Sequence, residues 1–383
     1  MRVMSIIGTR PEAIKMAPVI RELSQSEQFE SIVCSTGQHR QMLDQVTQFF
    51  NINVDVELGI MKPGQDLFDI ISGTLIKLKD TLKEIKPDYI LVHGDTSSCL
   101  AGAMAGFYSG IPVGHVEAGL RTHNLQAPFP EEANRCMVSK IATHHFCPTS
   151  MAKNNLLQEA ISEQAISVTG NTVIDALLWG NQLLDNRYNN TYWEKIIGHA
   201  LTQRILNPNR KLILITGHRR ENLGEGFNQI CHAIKTLADI YPNMDFVYPV
   251  HLNPKVREPV HNALGNAENI HLIEPQEYAT FIWLMNQAFI ILTDSGGIQE
   301  EAPSLNKPVL VLRDVTERPE AITAGTVKLV GTDSLRIINE FRAIADSPLK
   351  YSIMAEAKNP FGDGTAAQKI IRTLLHVKQG RQG

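Results

Sequence analysis

The sequence predicts an α/β protein of two domains, each built on a doubly wound parallel sheet, and three observations lead to this prediction. The chain has 383 residues, which is more than a single hydrophobic core usually organises. Short apolar runs alternate with amphipathic stretches of helical spacing, which is the pattern of βαβ units on a parallel sheet. These runs form two series, and the polar stretch at residues 181–190 separates them.

The predicted strands follow in chain order. The first series has strands at residues 3–7, 31–35, 89–92, 113–116 and 166–168, and the second has strands at residues 212–215, 246–250, 270–273, 289–292 and 309–312. Residues 212–215 and 290–292 are continuously hydrophobic, as strands covered on both faces are. The stretch from Ala366 spaces its apolar residues helically and is predicted to be a closing helix. We therefore expect one domain at residues 1–170 and a second at residues 171–365.

Composition and charge exclude several classes of protein. Lys and Arg number 36 and Asp and Glu number 40, giving a net charge of −4 without a basic stripe, so nucleic acid is not expected as a partner. The five cysteines have no C-x-x-C spacing, which argues against a disulfide framework or a zinc cluster. The chain begins on a strand-like run, and no window reaches the roughly 18 apolar residues of a membrane span. A cytoplasmic protein without membrane contact is expected.

The first predicted strand runs into the segment GTRPE at residues 8–12. Proline suits the first turn of a helix, so Arg10 is expected at a helix N-terminus, with Lys15 on the same helix. A guanidinium beside exposed backbone N–H groups is a natural phosphate site, although Arg10 could instead pair only with a surface carboxylate. The glycines of a dinucleotide fingerprint and of a P-loop are both missing, so no nicotinamide cofactor is expected. No motif indicates a metal.

Three acids follow predicted strands or begin a predicted helix. Asp95 comes after the strand at residues 89–92, and Glu117 directly follows the strand at residues 113–116. Carboxylates just past strand ends face the ligand crevice of a parallel sheet. Glu131 begins a predicted helix, where the helix dipole favours the ionised form. Either Asp95 and Glu131 serve only the helix starts at which they stand, or the three acids act together in catalysis.

The second series of strands carries a predicted anion site. His218 follows the strand at residues 212–215 in an arginine-rich turn, where it could neutralise a leaving anion or be an ordinary structural histidine. Ser295, Gly296 and Gly297 turn a buried strand into a helix, and their N–H groups are expected to bind a diphosphate. Glu301, one turn later, is expected to accept hydrogen bonds from ribose hydroxyls. An ordinary tight turn is the alternative for this segment.

Ten segments between Gly8 and Ala321 carry a family resemblance: GTRPEAIKMAP, HGDT, GHVEAGLRT, PEEANR, TGNTVIDAL, TGHRREN, HLNPKVREP, EPQEY, DSGGIQEEAPSL and ERPEA. They resemble segments of the bacterial non-hydrolysing UDP-N-acetylglucosamine 2-epimerases. The resemblance implies two Rossmann-like domains of the glycosyltransferase-B type that face a deep cleft, with the helix at residues 366–383 packing back on the first domain. It also implies a homodimer.

The same resemblance implies roles for individual residues. It places the nucleotide on Arg10, Lys15, His218, Ser295, Gly296, Gly297, Glu301 and Arg318, with Gln276 and Phe281 beside the uracil. Asp95, Glu117 and Glu131 would be catalytic, with His218 acting at the leaving diphosphate. Family members are activated by their own substrate near a segment like residues 38–41, which assigns Gln38, His39 and Gln41 to a regulatory site.

The reaction implied is reversible C2 epimerisation of UDP-N-acetylglucosamine to UDP-N-acetylmannosamine, for bacterial cell-surface polysaccharide synthesis. The C2 hydrogen lies beside no carbonyl group, so its direct removal would be very slow. Loss of UDP from C1 together with the C2 proton would give 2-acetamidoglucal, and re-addition with protonation from the opposite face would give the epimer. Two faces require two proton carriers, and three acids can supply them.

Three other functions are compatible with parts of this sequence. A glycosyltransferase shares the fold and a diphosphate site but needs an acceptor site, and no basic amphipathic segment for a lipid acceptor is present. A sugar-nucleotide sensor would keep the phosphate-binding turns and need no acid cluster. A hydrolysing enzyme would release free N-acetylmannosamine, and the lack of a kinase-like second module disfavours it.

Overall fold

The computed structural model of the chain describes residues 1–38, 40–219, 222 and 224–380 and divides into two compact units. Unit 1 comprises Met1–Trp179 together with the chain from Phe361 onward, and unit 2 comprises Gly180–Pro360. The boundary follows Trp179, whereas the sequence predicts it after residue 170. It falls inside the helix Thr172–Arg187, whose first two turns are buried. The chain returns to unit 1 at Phe361, ahead of the closing helix.

Unit 1 contains a seven-stranded parallel sheet. Its strands are β1 (Arg2–Ile7), β2 (Glu30–Ser35), β3 (Val56–Glu57), β4 (Tyr89–His93), β5 (Val113–Val116), β6 (His144–Cys147) and β7 (Ile166–Val168). Their order in the sheet is β3-β2-β1-β4-β5-β6-β7. In register, Ile7 of β1 lies beside Ser35 of β2, and Ser5 lies beside Leu91 of β4. The direction of strand addition reverses between β1 and β4, which creates a topological switch point.

Helices alternate with these strands and cover the sheet. They are α1 (Arg10–Gln25), α2 (Arg40–Phe50), α3 (Leu67–Ile85), α4 (Ser97–Tyr108), α5 (Glu131–Ile141), α6 (Ser150–Gln158) and α7 (Thr172–Arg187). Ile6 of β1 and Val92 of β4 share one core with Leu78 of α3 and Ala103 of α4. Strands covered in this way need apolar side chains on both faces, which explains their uninterrupted hydrophobic sequences.

Unit 2 repeats the same architecture with six parallel strands. These are β8 (Lys211–Thr216), β9 (Met244–Pro249), β10 (Ile270–Ile273), β11 (Ala288–Thr293), β12 (Val309–Val311) and β13 (Val327–Leu329), in the order β10-β9-β8-β11-β12-β13. Its switch point lies between β8 and β11. Its helices are α8 (Asn190–Ile197), α9 (His199–Ile205), α10 (Glu225–Ile240), α11 (Pro254–Leu264), α12 (Tyr278–Gln287), α13 (Gly296–Glu301), α14 (Pro319–Thr323), α15 (Ser334–Ala345) and α16 (Pro348–Ala355).

The predicted fold class of two Rossmann-like α/β domains is confirmed, and each of the ten predicted strands corresponds to an observed one. The strands β3, β6 and β13 are not among the predicted ones. β3 has two residues, β13 has three with a lysine in the middle, and β6 begins with His144 and His145. None of these contains the apolar run by which the other strands are recognised.

The closing helix α17 (Ala366–Gly380) packs against α1 in unit 1. Its first two N–H groups are capped by Asp175 of α7: Ala366 N donates to Oδ2 at 3.2 Å and Ala367 N donates to Oδ1 at 2.8 Å. Burial raises the pKa of Asp175 to about 6, and these two hydrogen bonds counteract part of that effect. Helix N-termini need such acceptors because their first N–H groups have no partner within the helix.

In the part of the chain that the structure describes, every helix is too short or too polar to span a bilayer. The same residues contain no group of three or more histidine, cysteine or acidic side chains placed to hold a metal ion. The five cysteines are free thiols, and all except Cys136 are buried. Burial raises the pKa of Cys34, Cys147 and Cys231 to about 12, which makes these thiols poor nucleophiles.

Replacing Asp175 with alanine is expected to loosen α17 specifically. Two N–H groups would lose their acceptor, and loss of a helix cap costs about 0.5 to 2 kcal/mol. Amide exchange in α17 should then accelerate by about 2- to 30-fold, the factor that corresponds to about 0.5 to 2 kcal/mol. Hydrogen–deuterium exchange read by mass spectrometry measures this segment by segment. Asp185→Ala, an exposed position on the same helix α7, is the control, and equal acceleration in both variants would contradict the capping role.

Candidate active site

The candidate site residues lie at the switch point of each sheet. In unit 1 the neighbouring strands β1 and β4 end next to residues 8–10 and 94–96. In unit 2 the neighbouring strands β8 and β11 end next to residues 217–219 and 294–297. Parallel α/β sheets bind ligands at this edge, because the loops after the two central strands turn in opposite directions and leave a crevice.

Arg10 is the first residue of α1, at the helix start predicted from the proline that follows it. The turn that presents Arg10 is fixed by the buried Glu12, whose Oε2 accepts the N–H groups of Gly8 at 3.0 Å and Thr9 at 2.7 Å. Oε1 of Glu12 accepts the hydroxyl of Thr96 at 2.7 Å. Glu12 therefore ties the loop after β1 to the loop after β4.

Glu117 directly follows β5 and has a left-handed backbone, with φ of 63°. A residue with a side chain carries a strain of about 1 to 2 kcal/mol there. Its Oε2 forms an ion pair with Nζ of Lys15 and lies 3.7 Å from Nε2 of His93. Nδ2 of Asn171 donates a hydrogen bond to the same oxygen at 2.9 Å. Groups from α1, β4 and the loop before α7 thus converge on one carboxylate oxygen.

This environment keeps the Glu117 carboxyl ionised. Burial by itself raises the pKa of a carboxyl group, because it penalises the charged form. The ammonium of Lys15 and the imidazole of His93 outweigh burial and hold the pKa of Glu117 well below its usual range. Lys15, which the sequence analysis assigns to the nucleotide, is in this structure the direct partner of a predicted catalytic acid.

Asp95 lies in the loop after β4 and has the opposite electrostatic balance. Burial raises the pKa of Asp95, and the guanidinium of Arg135, 3.3 Å away, reverses only part of that effect. The neighbouring acids Glu117 and Glu131 raise it further. The loop itself is held because the carbonyl of Asp95 accepts Nδ2 of Asn134 at 2.8 Å. Asp95 therefore keeps its proton to a higher pH than an ordinary aspartate.

Glu131 begins α5, at the helix start that the sequence predicts. The neighbouring Glu132 holds the loop structure instead, because its Oε1 accepts the N–H groups of Thr122 and His123, both at 2.9 Å. Its Oε2 lies 3.2 Å from Nε of Arg135. Glu132 is buried, whereas Glu131 is partly exposed. The structural role at this turn thus belongs to Glu132, which argues against a purely structural role for Glu131.

The predicted regulatory segment is described only in part. Oε1 of Gln38 accepts the hydroxyl of Ser98 at 2.8 Å, and the carbonyl of Gln38 accepts Nε2 of Gln65 at 3.3 Å. Ser98 belongs to the first turn of α4, which follows the Asp95 loop. His39 and the side chain of Gln41 lie outside the described residues.

In unit 2 the loops after β8 and β11 are joined by Asp294, which is fully buried. Its Oδ2 accepts the N–H groups of His218 and Arg219, each at 2.8 Å. Nδ2 of Asn222 lies 3.5 Å from the same oxygen and donates to the carbonyl of Leu312 at 3.0 Å. Asp294 therefore shapes the turn that presents His218.

His218 carries less positive charge than its arginine-rich sequence neighbourhood indicates. Burial lowers the pKa of His218, Asp294 acts in the opposite direction, and His251 and Arg219 lower it again. The rings of His218 and His251 are stacked, with centroids 5.4 Å apart and an interplanar angle of 14°. A neutral imidazole can still donate a hydrogen bond to a phosphate oxygen, but it does not neutralise the phosphate charge.

Ser295, Gly296 and Gly297 lead from β11 into α13, as the sequence predicts. A Cβ at Gly296 would lie 2.9 Å from Cζ of Arg318, so a side chain there would require the guanidinium to move. The guanidinium is held there by Glu300, whose Oε1 accepts Nε of Arg318 at 2.8 Å. Arg318 thus brings a fixed positive charge against the N–H groups that are predicted to bind a diphosphate.

The remaining predicted binding residues of unit 2 fall into two places. Oε1 of Glu301 lies 3.5 Å from the Cβ position of Gly297, so this carboxylate is next to the glycine turn. Gln276 and Phe281 belong to the loop after β10 and the first turn of α12. In the sheet, β9 and β8 separate β10 from β11, so these two residues are not brought to the glycine turn by strand pairing.

Four polar residues that build the site are absent from the sequence predictions: Glu12, Glu132, Asn171 and Asp294. Glu12 stands three residues after Thr9, which is the capping-box pattern and a usable signal. Asp294 directly follows a buried strand, the same signal that points to Glu117. Asn171 has no comparable signal, because its partner Glu117 lies 54 residues away in the sequence.

Comparison with known proteins supports one family. The sequence model of the UDP-N-acetylglucosamine 2-epimerase family matches residues 21–375. The UDP-N-acetylglucosamine 2-epimerase of Escherichia coli strain K12 is 53% identical over 376 residues, which cover 98% of each chain.

Solved structures give the same result. The structure of UDP-GlcNAc 2-epimerase from Neisseria meningitidis bound to UDP-GlcNAc is similar with a TM-score of 0.88 and 52% identity, covering 98% of this chain and 100% of that one. The enzyme from Methanocaldococcus jannaschii in complex with UDP-GlcNAc and UDP has a TM-score of 0.79 and 33% identity, with 98% and 100% covered. On these matches, the chain belongs to the UDP-N-acetylglucosamine 2-epimerase family.

Proposed function

We propose that this protein catalyses the reversible C2 epimerisation of UDP-N-acetylglucosamine to UDP-N-acetylmannosamine, by elimination and re-addition of UDP through 2-acetamidoglucal. The observation that carries the proposal is the opposed environment of two neighbouring carboxyl groups in unit 1. Lys15 keeps Glu117 ionised, whereas burial raises the pKa of Asp95. Pairs of acids whose environments push their pKa values apart are typical of sites that combine charge stabilisation with proton transfer.

The elimination breaks the C1–O bond to UDP and the C2–H bond and forms a C1=C2 double bond. The diphosphate leaves with the electrons of the C1–O bond, so positive charge develops at C1. We assign the stabilisation of that charge to the ionised Glu117, since a preorganised charge needs no rearrangement during the reaction. Asp95 and Glu131 carry the C2 proton, one on each face of the sugar, and Asp95 is suited to both directions by its raised pKa.

The nucleotide is assigned mainly to unit 2. Arg318 and the N–H groups of residues 295–297 supply a positive charge and hydrogen bonds to the diphosphate, which a leaving group requires most as its negative charge grows. His218 donates a hydrogen bond as a neutral imidazole, and Arg10 is assigned to the nucleotide in line with the family resemblance. Glu301 is assigned to the ribose, and Gln276 and Phe281 are assigned to the uracil.

The proposal includes the setting of the reaction. Elimination and re-addition leave the oxidation state of the sugar unchanged, so no redox cofactor is required. In line with the family resemblance, we propose a cytoplasmic homodimer whose product enters bacterial cell-surface polysaccharide synthesis. UDP-N-acetylglucosamine is proposed to act also as an activator, at a site that includes Gln38, His39 and Gln41.

Incubation of the purified protein with UDP-N-acetylglucosamine in D₂O is expected to produce UDP-N-acetylmannosamine as the minor species at equilibrium. The proton that returns to C2 comes from a carboxyl group in exchange with solvent, so both epimers should acquire deuterium at C2. A proton NMR time course that follows the anomeric and C2 signals measures epimer formation and exchange together.

The products distinguish the alternatives. Free N-acetylmannosamine with UDP would indicate a hydrolysing enzyme. An unchanged spectrum would contradict the proposed epimerase activity. It would favour a glycosyltransferase that requires an acceptor, or a sugar-nucleotide sensor. Deuterium at C2 of the starting epimer, without the second epimer, would show proton exchange on one face only and would contradict the assignment of two proton carriers.

Substitution of the two opposed acids should separate their roles. Asp95→Asn should lower kcat by about 10²- to 10⁴-fold, the effect of losing a positioned acid or base, and should slow C2 exchange equally. Glu117→Gln should lower kcat by about 10²- to 10³-fold, the effect of losing one electrostatic stabiliser. Steady-state kinetics and exchange in D₂O measure both. Glu163→Gln, at an exposed acid of unit 1, is the control, and a Glu117→Gln variant as fast as this control would refute the assignment.

A further inference from the structure

Asn171 stands between β7 and α7, at the point where the chain leaves the last strand of unit 1. We propose that Asn171 is a positioning residue that orients the Glu117 carboxylate and ties it to the segment by which the chain re-enters unit 1. This inference rests on the proposed function, because Asn171 acts through Glu117.

The hydrogen bonds of Asn171 fix the orientation of its side-chain amide. Oδ1 accepts the N–H of Val173 at 3.1 Å, so Nδ2 is the atom that faces Glu117 and donates to Oε2 at 2.9 Å. Reversing the amide would place two acceptors together at Glu117 and two donors together at Val173. Asn171 is buried, so water does not compete for these bonds. The side chain can therefore donate to Glu117 in one orientation only.

A donor at this position favours the charged form of Glu117. Among the described residues, the ionisable groups that face Glu117 include Lys15 from α1, His93 from the end of β4, Asp95 from the loop that follows β4 and Cys99 from α4. An amide, unlike an ionisable group, keeps its N–H groups at every pH. Asn171 is thus a neutral hydrogen-bond donor to Glu117 whose protonation does not depend on pH.

The backbone of Asn171 is tied to the returning chain. Its N–H donates to the carbonyl of Phe361 at 2.7 Å, and Phe361 is the first residue of the segment that re-enters unit 1. A Cβ on Gly170 would lie 3.3 Å from that carbonyl oxygen, and a Cβ on Gly362 would lie 3.5 Å from Cα of Gly170. The two chain segments approach this closely because glycines with positive φ stand on both sides. The returning segment therefore sets the position from which Asn171 reaches Glu117.

Asn171→Ser and Asn171→Asp test the inference, because both keep an acceptor for the N–H of Val173 and both remove the amide that donates to Glu117. The serine hydroxyl, one bond shorter than the amide, does not reach the same position. Serine adds no charge, whereas aspartate places a second carboxylate beside Glu117. Either change raises the pKa of Glu117, so more of it is protonated at acid pH. The acid limb of the kcat profile should move to higher pH with serine and further with aspartate, with KM nearly unchanged.

At the acid end of the profile, kcat of the aspartate variant should fall by about 10²-fold, the effect of a misplaced catalytic group. Asp185→Ala is the control, because it removes an exposed carboxylate from α7, the helix that follows Asn171, at a position outside the proposed site. It should keep the wild-type kcat and pH profile. An unmoved acid limb in both Asn171 variants, or one equal fall in kcat at every pH in all three variants, would overturn the inference. Absence of turnover in the wild-type protein would overturn the proposed function instead.

Discussion

A buried carboxylate keeps its charge only when cations and hydrogen-bond donors replace the water that it has lost. Glu117 has three such partners: Lys15 from α1, His93 from β4 and Asn171 from the start of α7. They come from separate parts of the chain that the parallel sheet brings to one edge, so the charge of Glu117 depends on the correct assembly of unit 1. The left-handed backbone at Glu117 depends on the same contacts, because a strained backbone conformation persists only where the surrounding structure holds it in place.

Burial raises the pKa of Asp95 as it does that of Glu117, so burial does not distinguish the two acids. The difference lies in the charges beside each acid. Glu117 is in direct contact with the ammonium of Lys15, whereas the guanidinium of Arg135 lies 3.3 Å from Asp95. The neighbouring carboxylates Glu117 and Glu131 also raise the pKa of Asp95, so Asp95 holds its proton more tightly.

Hydrophobic runs were sufficient to predict ten strands, the fold class and the loops that carry Asp95, Glu117, His218 and the glycine turn, because each of these signals is local in sequence. β6 escapes prediction because two histidines replace its apolar run. The charge state of His218 is not predicted, because the neighbouring arginines indicate a positive site. Burial and His251, which is distant in sequence, lower the pKa of His218 instead. The roles of Asn171 and Asp294 are not predicted for the same reason, because their hydrogen-bond partners lie 54 and 76 residues away in the sequence.

The two units share a strand order and differ in which segment supplies the buried carboxylate at the switch point. In unit 1 this carboxylate is Glu12, from the first turn of the helix α1 that follows β1, and it leaves Asp95 in the loop after β4 available for proton transfer. In unit 2 it is Asp294, from the loop after β11, and the backbone N–H groups of His218 and Arg219 donate hydrogen bonds to it. The glycine turn that follows β11 then offers the N–H groups of residues 295–297 and Arg318, with the carboxylate of Glu301 beside them. Because Asp294 is buried and hydrogen-bonded, its charge is not presented to a diphosphate, so the same topology can bind an anion in one unit and carry acids in the other.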